Sequence, residues 1–396
     1  MYRKLLTQSL AALLAGLASV SQAAPFTPAS DREIVQTLPA RWDAATRRQR
    51  DALAGDPRQL PLAVATARAA IDRARRQGDP RELGLAQAVL APWWGLQQPP
   101  PAVRLLRATI LQSQHRFDAA LADLDALRQD RSAPLAVQAQ AGLTQVAVLQ
   151  VTGRLGDAAQ ACAALRAPRF DVLGPALSLP ARACAAELRS LRGQTTQAAA
   201  DLALLAREAP HNRWLALLRA ELAQRMGDDR AALARFREAV DGDAEVYAIA
   251  AYADWLLERG RDRAVLELLR THDAAAGADA LALRRAIALQ RLQDPLARSA
   301  AGALQAQFAA ARQRGENLHA REEARLALDV LGQPERALRL AREQWTRQKE
   351  PADAVLLLRA AIAAQQPAAA EVLRTWAHDP AAVDVRLAAL AQAPRP

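Results

Sequence analysis

The stretch RWLALLRAELAQRMGDDRAALARFREAV, residues 213–240, decides the fold. Trp214 to Met226 reads as one helix, Gly227-Asp228-Asp229 breaks it, and Arg230 to Val240 resumes as a second. Ala232 stands five positions after Gly227. The same step recurs from His115 to Ala120, Gly153 to Ala158, Gly193 to Ala198, Gly260 to Val265 and Gly332 to Ala337. The glycine or its substitute returns at intervals of 38, 40, 34, 33 and 72 residues, the last covering two units. A period near 34 built from two helices predicts a solenoid. Each unit then buries its apolar face only by stacking on its neighbours.

The remaining units follow from the same punctuation. First helices are expected over Leu62–Arg76, Leu105–Gln114, Ala136–Val151, Pro180–Leu191, Val246–Glu258, Ala280–Leu292, Leu318–Leu331 and Ala352–Ala364. Their partners are expected over Glu82–Trp94, Ala119–Leu127, Ala158–Leu165, Gln197–Glu208, Arg263–Arg270, from Pro295 to about Arg314, Glu335–Arg347 and Ala368–His378. Val383–Ala391 would cap the open end. Hydrophobic residues make up 51% of the chain but aromatics only 4%, and alanine supplies much of the difference. That composition favours helix and close helix–helix contact over sheet.

These units resemble tetratricopeptide repeats. The early small position of the first helix is Ala108, Ala186, Ala220, Ala253 and Ala286, with Val146 departing. The residue two after the turn glycine is bulky at Phe117 and Leu155 but becomes Thr195, Asp229 and Asp262. The large residue of the second helix is Leu124, Leu202, Phe236 and Leu269, with Cys162 in the equivalent place, and Pro210 closes a unit. The resemblance covers about residues 59–378 and implies an all-α, right-handed α-solenoid of stacked antiparallel helix pairs. The chain also resembles secreted proteobacterial proteins of this family, especially through Leu318–Pro351.

Three segments are expected: a signal peptide over 1–23, a linker with helices over 24–58, and the repeat array over 59–396 with a C-terminal capping helix. Arg3 and Lys4 precede the mostly apolar Leu5–Val20, and Ser21-Gln22-Ala23 supplies the small residues of a cleavage site. This predicts export to the periplasm of a Gram-negative cell, or full secretion. No later segment is apolar enough to span a membrane.

The net charge is +10, and loss of Arg3 and Lys4 would leave about +8. Acidic residues are interleaved with the arginines, as on solvated helix faces. Export argues against a nucleic-acid partner. Arginine clusters at Arg47–Arg50 and Arg73–Arg76 could instead tether the chain to an anionic surface. Cys162 and Cys184 fall on consecutive helices, either as a disulfide or as two buried small apolar residues.

No catalytic pattern stands out. His115, His211, His272, His319 and His378 lack metal-ligand spacing, and no HExxH, G-x-S-x-G or phosphate loop occurs. Nothing implies a cofactor. Among seven tryptophans most belong to the core, whereas Trp214, with Tyr247, takes the first-helix register that lines the inner curve of the resembled family. Gln112, Gln150, Glu221, Gln224, Arg225, Asp254 and Glu258 fall on equivalent turns. The expectation is a non-catalytic scaffold that binds protein or peptide through that concave face. The alternative is an envelope enzyme, for example a glycan-processing one, inside a helical-repeat shell.

Overall fold

The computed structural model describes Ser30 and residues 44–272, 278–313, 320–377 and 379–392. The expected signal peptide, its cleavage site, Trp42, His319 and His378 lie outside the described residues.

Helices follow one another as α1 (Ala44–Gly55), α2 (Leu60–Gln77), α3 (Pro80–Val89), α4 (Ala91–Trp94), α5 (Pro101–Ser113) and α6 (Phe117–Gln129). Next come α7 (Leu135–Val151), α8 (Leu155–Ala164), α9 (Pro175–Leu191), α10 (Thr195–Glu208), α11 (Arg213–Met226) and α12 (Asp229–Ala239). Then follow α13 (Val246–Glu258), α14 (Asp262–Thr271), α15 (Asp279–Arg291), α16 (Ala297–Gln313), α17 (Ala320–Asp329) and α18 (Pro334–Arg347). The chain ends with α19 (Pro351–Ala363), α20 (Leu373–Trp376), α21 (Pro380–Val383) and α22 (Val385–Gln392). Among the described residues there is no strand.

Each first helix packs on its second, and first helices also touch first helices of the next unit, so the pairs stack into a solenoid. The early alanines explain the close approach: Ala108, Ala186, Ala220, Ala253 and Ala286 have no exposed surface, and Val146 fits at 2%. Large residues fill the gaps between units, as Leu124, Leu202 and Phe236 do from full burial. Phe236, Tyr252 and Trp255 form an aromatic centre, with Phe236 5.5 Å from Tyr252 and 6.1 Å from Trp255. The turn glycines are left-handed, with φ of 76° at Gly227, where a side chain would be strained.

Three expected boundaries are corrected. The helix expected over Glu82–Trp94 breaks at Leu90, because Pro92 withholds the donor that would continue it. The helix expected to begin at Pro180 starts at Pro175 and keeps Pro180 inside. Pro175 supplies a second favourable start, and burial of Leu177 in the neighbouring core offsets the hydrogen bond that Pro180 cannot make. The helix expected over Ala368–His378 is a 3-10 turn (Pro367–Ala370) followed by the single turn of α20, which brings Trp376 edge-on to Trp345 at 5.7 Å.

The end of the chain does more than cap the last pair. α22 packs on α19 and also on α11. Val385 and Ala382 lie 3.3 and 3.1 Å from where Cβ atoms on Gly227 and Gly193 would be. The Arg386 guanidinium meets Glu258 at 2.5 Å. Further back, the Lys349 backbone N–H donates to the Val151 carbonyl at 2.7 Å, and Val246 and Ala278 press on Gly78. The coil therefore returns onto itself and encloses its own concave face.

Candidate binding cavity

A helical repeat of about 34 residues places equivalent positions of successive first helices side by side. These helices therefore carry rungs across the inner face. The Gln224 amide donates to Glu258 at 2.7 Å, Tyr247 Oη donates to Glu221 at 2.7 Å, and Arg284 grips Asp254 through two hydrogen bonds of 2.9 and 2.6 Å. Because the coil closes, the rungs surround a cavity of about 1510 Å³.

The cavity wall is drawn from α7, α9, α11, α13, α15, α17 and α19, and Arg75, Trp376 and Arg386 also line it. Of the residues singled out in the sequence, Gln150, Trp214, Glu221, Gln224, Arg225, Tyr247, Asp254 and Glu258 lie on this wall. Gln112 does not: α5 contributes nothing to the lining, and Gln112 is half-buried elsewhere. Trp214 and Tyr247 are 42% and 53% exposed, so their rings are open to a ligand. Arg225 lines the cavity but is mostly covered. It is 8% exposed, and its Nη2 donates to the buried Ser190 hydroxyl at 2.8 Å.

The wall also holds groups that sequence register alone did not single out: Glu187, Arg284, Arg321, Arg325, Glu350 and Arg386. Glu187 was discoverable, since it stands 34 residues before Glu221. Arg386 was not, because its place depends on the chain's return.

Most of the wall charges neutralise one another. Burial pushes Asp254 up, but Arg284 and Arg325 overcome that and hold it at about 2. Arg321 grips Asp353 at 2.7 Å and also contacts Glu350. Glu258 is shared by Arg259 and Arg386. Two carboxylates differ. Burial raises Glu187, against the pull of Arg225 and Gln150. Burial raises Glu221 to about 7; the Tyr247 hydroxyl and Arg225 oppose the shift, and Glu187 and Glu350 add to it. The negative charge of Glu221, together with burial, raises the Tyr247 phenol well above its ordinary value. Among the described residues no grouping of three metal-ligand side chains occurs, and no helix is long and apolar enough to cross a membrane.

Cys162 on α8 and Cys184 on α9 are joined as a disulfide, with Cα atoms 6.5 Å apart. The bond ties one unit to the next behind the cavity, and Cys184 also touches the cavity wall.

No family model and no curated protein matches this chain. Among solved structures it is similar to a tetratricopeptide repeat protein from Parabacteroides merdae, at 15% identity over 66% of this chain and 98% of that one, with a TM-score of 0.36. It is similar to the APC/C Cut9–Hcn1 hetero-tetramer at 10% identity over 87% of this chain and 71% of that one, TM-score 0.47. It is also similar to the P58(IPK) TPR domain at 16% identity over 81% and 93%, TM-score 0.21. The fold is an all-α, tetratricopeptide-like solenoid.

Proposed function

We propose that this chain is an exported, non-catalytic scaffold that holds a peptide, or an extended segment of a protein, in its concave cavity. The observation that carries this reading is the cavity itself. It is large enough for several residues, is walled by successive first helices, and presents two open aromatic rings among polar side chains. Exposed aromatics in a concave, mostly desolvated site are the anchors from which interfaces draw most of their energy.

A hydrolytic carboxyl pair needs environments that push the two groups apart, one kept protonated and one ionised. Hydrolysis of envelope glycan by the purified chain, lost in Glu221→Gln, would establish the enzymatic alternative.

The test is affinity capture from envelope extract followed by titration of the captured species. Trp214→Ala and Tyr247→Ala should each weaken binding about tenfold or more while leaving melting temperature and helicity nearly unchanged. Early melting of both variants, or binding as tight as wild type, would remove the cavity from the reading. Export is tested separately. The mature protein should start near Ala24, and Met1 retained on protein recovered from the periplasm would sink that part.

A further inference from the structure

We infer that the chain associates with copies of itself end to end, the turns at Gly260, Leu296 and Gly332 of one molecule seating on the link around Trp93, Trp94 and Leu96 of the next. This goes beyond the cavity reading and does not depend on it.

Topology defines the two surfaces. The helices of each pair are antiparallel, so every turn within a pair lies on one edge of the solenoid and every link between pairs lies on the opposite edge. Where the coil returns onto itself, turns of the early units meet links of the late ones. Cβ atoms on Gly78, Gly153, Gly193 and Gly227 would lie 2.6, 2.9, 3.1 and 3.3 Å from Ala278, Lys349, Ala382 and Val385. Both sets run forward along the chain, so these contacts form one continuous seam. A coil's seam must run out, because the links of its first units and the turns of its last units have no further turn of chain to cover them. It stops after Gly227: among the described residues nothing lies within 4 Å of a Cβ placed on Gly260 or Gly332.

The two leftover edges are not purely polar. Leu296, in the turn before α16, is 54% exposed. Leu96, in the link before α5, is 48% exposed and follows the half-buried Trp93 and Trp94. Apolar groups grouped on an exposed surface mark a contact site. Charges of both signs accompany each edge, Arg261 and Asp294 on one, Asp56 and Arg58 on the other, so no single-sign repulsion opposes contact. The occupant follows from the seam. Within the chain, turns of this kind are covered by links, through small or apolar side chains such as Ala278, Ala382 and Val385. The surface that continues the pattern past Gly227 is the link edge of a second copy. Because the two surfaces differ, each added molecule leaves one of each free, and growth proceeds in a line.

The experiment is sedimentation velocity on the full chain and two variants, Leu296→Glu on the turn edge and Leu96→Glu on the link edge. The wild-type mean mass should at least double between about 1 and about 200 µM and pass that of a dimer at the upper end. Each variant alone should stay monomeric over that range. Mixed in equal amounts, they should form dimers and nothing larger, since each retains the edge that the other has lost. Both side chains are exposed, so melting temperatures should hold. If either variant melts early, Pro295→Cys and Gln98→Cys carry the decision: a short bismaleimide should join these two variants to each other and neither to itself. A wild type that stays monomeric throughout overturns the inference. So does association that neither Glu substitution weakens, dimers formed by either Glu variant alone, or a cysteine variant that joins only to itself.

Discussion

Asp254 shows how a single residue can be legible in its position and opaque in its role. The repeat register put it on the inner face. It did not reveal that Arg284 and Arg325 converge on it, one from the next first helix and one from two units away. Both guanidiniums are largely buried, so Asp254→Asn would leave two like charges facing one another. The expected cost is about 3 kcal/mol, seen as a lower urea midpoint. Since Asp254 is held at about 2, its contribution should persist at neutral pH and disappear as pH falls from about 4 through 2, a slope that the Asn variant should lack. Gln293 makes a converse case. It occupies the left-handed position that glycine fills in other units, with φ of 55°. An L residue there is strained by about 1–2 kcal/mol, and glycine returns part of that as unfolded-state entropy. Gln293→Gly should stabilise the protein by about 0.5 kcal/mol, and an unchanged or lowered midpoint would show that the exposed side chain contributes more than its backbone costs. The 72-residue interval between Gly260 and Gly332 passes over this turn, so the sequence pattern showed neither the substitution of glycine nor its strain.

At the scale of the helix, punctuation was reliable and proline was not. Turn glycines located the break between paired helices because the left-handed angle is a local requirement. Pro180 misled because tertiary burial of Leu177 outweighs one lost hydrogen bond, and no local signal reports that balance. The paired alanines make the register testable. Ala220→Leu or Ala253→Leu places a branched side chain where a first helix meets its neighbours with no free surface, and should cost about 1–3 kcal/mol. Unaltered urea midpoints in both would refute the packing. The bond between α8 and α9 closes a loop with a sequence separation of 22, for which chain entropy gives about 3 kcal/mol. Reduction should lower the urea midpoint by that equivalent. Two free thiols in the unfolded, unreduced protein would show that the helices pair without it.

At the scale of the molecule, the return of the C-terminal segment was the part that sequence could not supply. Repeat logic treats each unit as touching only its neighbours, yet Arg386 joins Glu258 across 128 residues. The feature depends on the accumulated curvature of many units, which no single motif encodes. Arg386→Glu should let the coil open, increasing the radius of gyration in small-angle scattering, and the charge-exchanged pair Arg386→Glu with Glu258→Arg should restore compactness. An unchanged radius in the single variant would mean that Val385 and Ala382 hold the closure without the ion pair. The consequence is mechanical. An open solenoid is a spring whose pitch yields smoothly to load, with each unit giving a little. Once its last turn is fastened to its middle, the same coil becomes a clasped ring, stiff until the clasp gives way. It would then lengthen abruptly rather than by degrees.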